Sequence, residues 1–498
     1  MDFLRKNLFL LSTLFLFFAG CASFSSRPIP PTPGIHSACR ELLENLDKKI
    51  EAAGVSNAAH FRVPGFPYLR TDRFLAALGH QLKEDGEKDF WVQWMEELAL
   101  EGRKAEIWNL PEEAVRSLTG KMAEEAGRQE LFSQITACSE KMLDRDKTGK
   151  DFFAAVRTQS KIPDEYSTFL RVIGLHPITG IPVAVATENA RERFKSWFAG
   201  DVKTLPVEGL LKAYVPREGV FLDALQIQWI LREAKKNPLR IPRLDGEEEE
   251  KLARAFAPVI IQDVAKPFDA IGYLGWKSEH VGIFPEKPTV YYYFGYSFLN
   301  EQPILQIHYV VWYAARGGNN PPWFERGHLD GLAIRFSLDP QGKVFMVDIM
   351  NNCGCYHLFA PDPKRVNQIL SPSSSTPPFV PQNLPTLQKE ERLGVRVNSG
   401  WHQVQRLLAV RDWADPISYE LVPYEILESL PQGNGQQKSI FDPEGIIPGT
   451  ERIERLFLFP MGVPHVGSMR QRGHHAIDFI GRVHFDDPDL FERNFVLK

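Results

Sequence analysis

Leu329-Asp330-Gly331-Leu332-Ala333-Ile334-Arg335-Phe336-Ser337-Leu338, then Asp339-Pro340-Gln341-Gly342-Lys343, then Val344-Phe345-Met346-Val347-Asp348-Ile349-Met350 is the stretch that decides the fold. Two β-prone runs flank a segment of turn-forming residues, so the second run is expected to return antiparallel to the first. Upstream, Leu305, Ile307, Tyr309, Val311 and Tyr313 alternate with Gln306, His308, Val310 and Trp312, the period of a strand. Tyr291 to Phe298 is rich in aromatic residues and also β-prone. Downstream, Ser371 to Pro385 is a proline- and serine-rich loop. The second half of the chain therefore reads as β-rich and mainly antiparallel.

The period changes toward the N-terminus. Leu42, Leu43, Leu46, Ile50 and Ala53 recur at helical spacing, and Gly54 is a natural stop. Thr71 or Asp72 can cap a helix carrying Phe74, Leu75 and Leu78. Phe90, Trp91, Trp94, Met95 and Leu98 form a further apolar face, and Leu131, Ile135, Cys138 and Met142 another. Such stripes are read as core. Asp245-Gly246-Glu247-Glu248-Glu249-Glu250-Lys251 reads as a solvated helix start and marks a boundary. The expected class is α+β. A helical domain over 37–245 precedes a β-rich domain over 246–498 that carries the His and Cys clusters.

At the extreme N-terminus, Arg5 and Lys6 precede an apolar run from Leu8 to Phe18, which ends in Ala19-Gly20-Cys21. A basic start, a short apolar core and small residues make an export signal over 1–20. The run is about half of the roughly 20 residues that a spanning helix needs, which argues against an uncleaved anchor helix. Ala-Gly-Cys after such a run resembles the lipobox of bacterial lipoproteins. The resemblance implies lipid on Cys21, making membrane lipid the expected partner. With Ala22 and Ser23 following and no aspartate, it favours the outer over the inner membrane. Residues 22–34 hold four prolines and three serines. Within the 21–36 segment they form a tether reaching roughly 40 Å.

Composition excludes some classes. Removing residues 1–20 takes out Asp2, Arg5 and Lys6, which moves the net charge from −5 to −6. A mildly acidic chain has no general nucleic-acid surface. No apolar stretch after the signal approaches 18 residues.

With Cys21 acylated, Cys39, Cys138, Cys353 and Cys355 remain. Cys39 shares a helical face with Leu42, Leu43 and Leu46, and Cys138 with Ile135 and Met142, so the two are expected to bond to each other. Cys353-Gly354-Cys355-Tyr356-His357 puts residues 353, 355 and 357 on one face if extended. Two thiolates and His357 suit zinc or copper. A strained Cys353–Cys355 disulfide is the favoured alternative.

Nine of the 13 histidines lie between His280 and His484. His308 falls mid-strand, and His328-Leu329-Asp330 can present imidazole and carboxylate together. If residues 474–481 are helical, His474 and Asp478 stand one turn apart, as a catalytic or metal-orienting pair. Arg470, Arg472 and Arg482 are candidate anion-binding residues.

The Gly-x-Ser-x-Gly elbow, the phosphate-binding Gly-x4-Gly-Lys-Ser/Thr loop and His-Glu-x-x-His are all missing from the sequence. Pro67 to Leu75, Gly174 to Thr179, the Cys-Gly-Cys-Tyr-His run and Gly473 to Pro488 resemble segments of an uncharacterised group of proteobacterial lipoproteins. That resemblance implies a shared fold and transfers no catalytic role. Two functions are expected to compete. One is a metal-assisted hydrolase, with a divalent metal such as zinc, using His308, His328, Asp330, His357, His474 and Asp478. The other is a non-catalytic envelope binding or assembly protein. Convergence of those polar groups favours the first, and a broad exposed apolar patch on the helical half favours the second.

Overall fold

The computed structural model describes residues 35–120, 125–372, 375–433 and 435–498. The signal, Cys21 and most of the tether lie outside them. Apolar spacing becomes helix much as the sequence predicts. In α1 (Ile35–Ala53) Leu43, Leu46 and Ile50 are buried, and Gly54 stops the helix in the left-handed region at φ +65°. A short hairpin, β1 (Phe61–Val63) with β2 (Phe66–Thr71), interrupts the helices. Asp72 caps α2 (Arg73–Leu78) by accepting from the Leu75 N–H at 2.7 Å. The long α3 (Asp85–Asn109) buries Trp91, Met95 and Leu98. Then come α4 (Glu112–Thr119), α5 (Glu125–Asp146), which buries Leu131, Ile135 and Met142, and α6 (Phe152–Gln159). These faces meet in one apolar core. A Cys39–Cys138 disulfide ties α1 to α5, with 5.2 Å between the Cα atoms.

Glu106 on α3 is the charge centre of this unit. Its Oε1 accepts from Arg70 Nη2 at 2.5 Å and Arg62 Nη2 at 3.1 Å, and its Oε2 from Arg103 Nη1 at 3.2 Å. Burial alone would raise its pKa, but Arg70, Arg103 and Arg62 outweigh burial and hold it down to about 2. A depressed carboxylate stabilises the fold fully above its unfolded value of 4.5. The contribution, about 3 kcal/mol, disappears as pH falls from there toward 2. Denaturant titrations of wild type and Glu106→Gln should therefore converge below pH 4.5. A stability gap that stays constant down to pH 2 would refute this.

Next come α7 (Thr168–Ile173), α8 (His176–Ala199), β3 (Leu210–Pro216), α9 (Ala224–Ala234) and α10 (Gly246–Phe256). The run of glutamates is indeed a helix start, capped by Asp245, whose carboxylate accepts from the Glu248 N–H at 2.9 Å.

The strands that follow are β4 (Val259–Val264), β5 (Tyr273–Lys277), β6 (His280–Phe284), β7 (Thr289–Leu299), β8 (Gln302–Arg316), β9 (Gly327–Leu338), β10 (Val344–Asn351), β11 (Leu358–Pro361), β12 (Val366–Ile369), β13 (Arg392–Val397), β14 (Val404–Val410) and β15 (Ile417–Pro423), and residues 424–498 are largely irregular, with short helices at Arg455–Leu458 and Leu490–Asn494. Ten strands join in the order β11-β10-β9-β8-β7-β15-β3-β4-β13-β14. The predicted turn links β9 to β10 antiparallel, with Phe336 opposite Val347. Within the mainly antiparallel sheet, β15 runs parallel to both β7 and β3, and β13 parallel to β4. The first half of the chain thus supplies β3, a strand well inside the sheet.

Both faces of the sheet are covered. Leu305, Ile307, Tyr309, Val311 and Tyr313 of β8 enter one core, while Val310 and Trp312 enter another. This two-sided burial explains why the second face of β8 also carries the apolar Val310 and Trp312. Among the described residues no helix is long and apolar enough to cross a membrane.

Candidate functional site

A cavity of about 380 Å³ lies between α8 and the segment that follows β10. One wall is α8, through Val183, Ala186, Ala190, Arg191 and Phe194. The opposite wall is the segment from Cys353 to Phe359. Pro377 to Phe379, Trp401 and Glu454 close the sides. Phe194 meets Tyr356 and Trp401 edge-on, at 5.4 and 5.2 Å between ring centroids.

The polar part of the wall is anchored from behind. Glu325 accepts from Tyr356 Oη at 2.5 Å, Trp401 Nε1 at 3.0 Å and Arg316 Nη1 at 2.8 Å. Arg316 also donates bidentately to Asp330, at 2.9 and 3.0 Å, and Arg452 adds a contact to Asp330 at 3.2 Å. His402 spans Asp330 and Asp269, its Nδ1 and Nε2 lying 2.9 and 3.1 Å from their oxygens. The ring also stacks on Tyr313 at 3.8 Å. Burial works against the Asp330 charge, yet Arg316, Arg452 and His402 hold its carboxyl far below the usual range.

Cys353 and Cys355 are both free thiols. The expected disulfide between them is thus corrected, and so is the extended run. Gly354 has φ +87° and Tyr356 φ +57°, so the segment turns. A Cβ on Gly354 would stand 2.3 Å from the Ala476 carbonyl oxygen, so only glycine fits between the two cysteines. A hydrogen bond from the Cys355 thiol lowers the Cys353 pKa, and Arg316 and Arg452 add to this against burial. The Cys355 thiol is raised by the same contact and by burial. Burial likewise raises Glu454, helped by Glu325 and Cys353, and its Oε1 has no hydrogen-bond partner.

Cys353, Cys355, His357 and Asp478 all reach the cavity wall. The candidates nevertheless do not converge on one another. His357 is fixed by Asp348, 2.7 Å from its Nε2, and Asp348 in turn pairs with Arg335. His308 stacks on Tyr293 at 4.2 Å, and burial drives its pKa down. His328 meets the Val281 carbonyl at 2.7 Å rather than joining Asp330, because the strand bulges there, with Ala315 facing both His328 and Leu329. His474 contacts Glu165 and the Ala58 carbonyl. The 474–481 segment is not helical. Asp478 instead accepts from the N–H groups of Thr376, Ile480 and Gly481. Among the described residues no group of three or more His, Cys, Asp or Glu side chains is arranged to hold a metal ion.

The anion site does not assemble either. Arg470 donates to the carbonyls of Pro464, His465 and His474, Arg472 pairs with Glu101, Glu425 and Glu428, and Arg482 pairs with Asp164. Arg191, by contrast, reaches the cavity with one donor on the Pro377 carbonyl at 2.8 Å. No carboxylate lies within ion-pair distance of it among the described residues. Arg191, Glu325, Trp401 and Glu454 carry no local sign in the sequence. The glycine between two cysteines was the one readable mark of the site.

Beside the cavity lies an exposed apolar face. Phe169, Ile178 and Ile181 are 68%, 67% and 65% exposed. Val172, Ile173, Leu175 and Val185 are exposed too, as are Leu456 and Phe457 on the segment leading to Pro460, which packs against Gly174. From Thr168 to Thr187 the only charged side chain, with histidine counted neutral, is that of Arg171.

Comparison with protein-family profiles, with curated proteins and with solved structures finds no match to this chain.

Proposed function

We propose that this is a lipid-anchored envelope protein of the outer membrane that rests α7 and α8 on the bilayer and takes up one acyl chain beneath α8. The observation that carries this reading is continuity on a single helix. Ile178, Ile181 and Val185 of α8 face outward, while Val183, Ala186, Ala190 and Phe194 of the same helix line the cavity. An apolar chain could pass from one surface to the other without crossing a charged belt.

Three features support it. The cavity lies within the roughly 300–1,000 Å³ range of ligand sites, and its lining is mostly apolar. Arg191 at its wall offers free donors to an acidic head group. The near-neutral, apolar 168–187 face suits an interfacial helix better than an ionic partner. A Cys21 anchor would hold this face near the membrane, because two acyl chains already secure a protein to it. The metal-assisted hydrolase reading lacks a converging ligand set among the described residues.

The test uses the Cys21→Ser protein, which carries no attached lipid, with phosphatidylethanolamine/phosphatidylglycerol vesicles. Wild-type surface residues should give co-flotation, and Ile178→Glu/Ile181→Glu should weaken it at least tenfold, since each buried side chain contributes about 1.5–3 kcal/mol. A fluorescent fatty acid should bind the protein, and Ala186→Trp, which fills the cavity, should abolish that binding. Equal flotation of both proteins, or fatty-acid binding unaffected by Ala186→Trp, would sink the reading.

A further inference from the structure

We propose that Cys353 is a nucleophile that accepts the acyl group of an ester bound in the cavity, with Glu454 as the proton donor to the departing alcohol. The inference rests on the acyl-chain reading and adds a reaction to it. Its substrate class is a medium- or long-chain carboxylic ester.

Four observations converge. Cys353 and Cys355 are unbridged and line the cavity that would hold the chain. Gly354 locks their turn against Ala476. Glu454 lines the same cavity, is 4% exposed, and leaves Oε1 without a partner. A Cβ on Gly467 would stand 2.0 Å from that oxygen, so glycine there keeps the carboxyl in place. The electrostatics agree, since Cys353 is shifted toward thiolate and Glu454 toward the protonated acid. A thiolate attacks, and a neutral carboxyl has a proton to give.

The steps balance. The Cys353 sulfur attacks the ester carbonyl carbon, an S–C bond forms, and the C–O bond to the alcohol breaks. The departing alkoxide takes the Glu454 proton and leaves as alcohol. Water then attacks the thioester and gives one proton back to Glu454. The S–C bond breaks, releasing the carboxylic acid and restoring the Cys353 thiolate.

The full Cys21→Ser chain is incubated with p-nitrophenyl octanoate and examined by intact-mass and peptide mass spectrometry. One octanoyl group is expected on the peptide containing Cys353, removable by neutral hydroxylamine. It should be absent from Cys353→Ser and form more slowly on Cys355→Ala, which lacks the hydrogen bond that favours the thiolate. Glu454→Gln should slow cleavage of ethyl octanoate at least tenfold, and with the p-nitrophenyl ester it should slow the turnover that follows the first p-nitrophenolate burst, because Glu454 takes the proton of the attacking water. Fluorescent fatty-acid binding by the same variants reports on folding and on the cavity. Binding without any octanoyl adduct would overturn the nucleophile and leave the acyl-chain reading intact, whereas an adduct without such binding would overturn only the latter. Exclusive recovery of a Cys353–Cys355 disulfide from the envelope would also overturn the nucleophile.

Discussion

Asp330→Ala is expected to destabilise the folded chain by about 3–5 kcal/mol, the range for breaking a buried ion pair from one side. Asp330 is fully buried and takes both Arg316 contacts, one from Arg452 and one from His402. Its removal leaves two guanidinium groups and an imidazole without their carboxylate. The damage should spread to the cavity, because Arg316 also anchors Glu325, which holds Tyr356 and Trp401. Glu420→Ala is the contrast. Its partner Arg217 is exposed, so the loss should stay below about 1 kcal/mol. Urea titration of both variants decides the matter, and comparable losses would mean that burial does not set the strength of these pairs.

Replacing Cys39 and Cys138 together by alanine should destabilise the helical unit by roughly 4–5 kcal/mol, the chain-entropy value for a loop of about 100 residues. The bridge spans a sequence separation of 99 and joins α1 to α5. Trp91 and Trp94 are buried in the core those helices share, so their fluorescence reports on this unit. The double variant should lose the native signal at a lower urea concentration, and dithiothreitol should shift wild type to the same midpoint. Coincident curves for oxidised and reduced wild type would contradict the stabilising role.

Much of this fold was legible because the residues that encode it are local. Asp339 to Lys343 specifies its own turn, and Cys39 and Cys138 show their shared interior through neighbours one helical turn away. The position of β3 was not legible, since Leu210 to Pro216 says nothing about pairing with β15 and β4. The site was half legible. The Cys-Gly-Cys-Tyr-His run drew attention and does line the cavity, but the opposite wall comes from α8, far away in the chain. The histidines misled for a physical reason. Each of His308, His328, His357 and His474 finds its own neighbour, be it a ring, a carbonyl or a carboxylate, and His328 does so at the exposed start of its strand. Clustering along the chain therefore carried no convergence in space. His474 and Asp478 failed as a helical pair because the Asp478 carboxylate binds the N–H groups just after it, which stabilises a loop.

The place of β3 has a consequence for how the protein is made. Its neighbour β15 is synthesised roughly 200 residues later, so the pairing is strongly non-local. A chain threaded across a membrane from its N-terminus would deliver the disulfide-tied helices first, able to close around their own core. It would then carry β3 with open edges until residues 259–264 and 417–423 arrive on either side. During that interval the strand presents unpaired edges to other chains. Truncation before residue 417 would leave one edge of β3 permanently unpaired. Such fragments should be aggregation-prone even though every helix of the first half is complete.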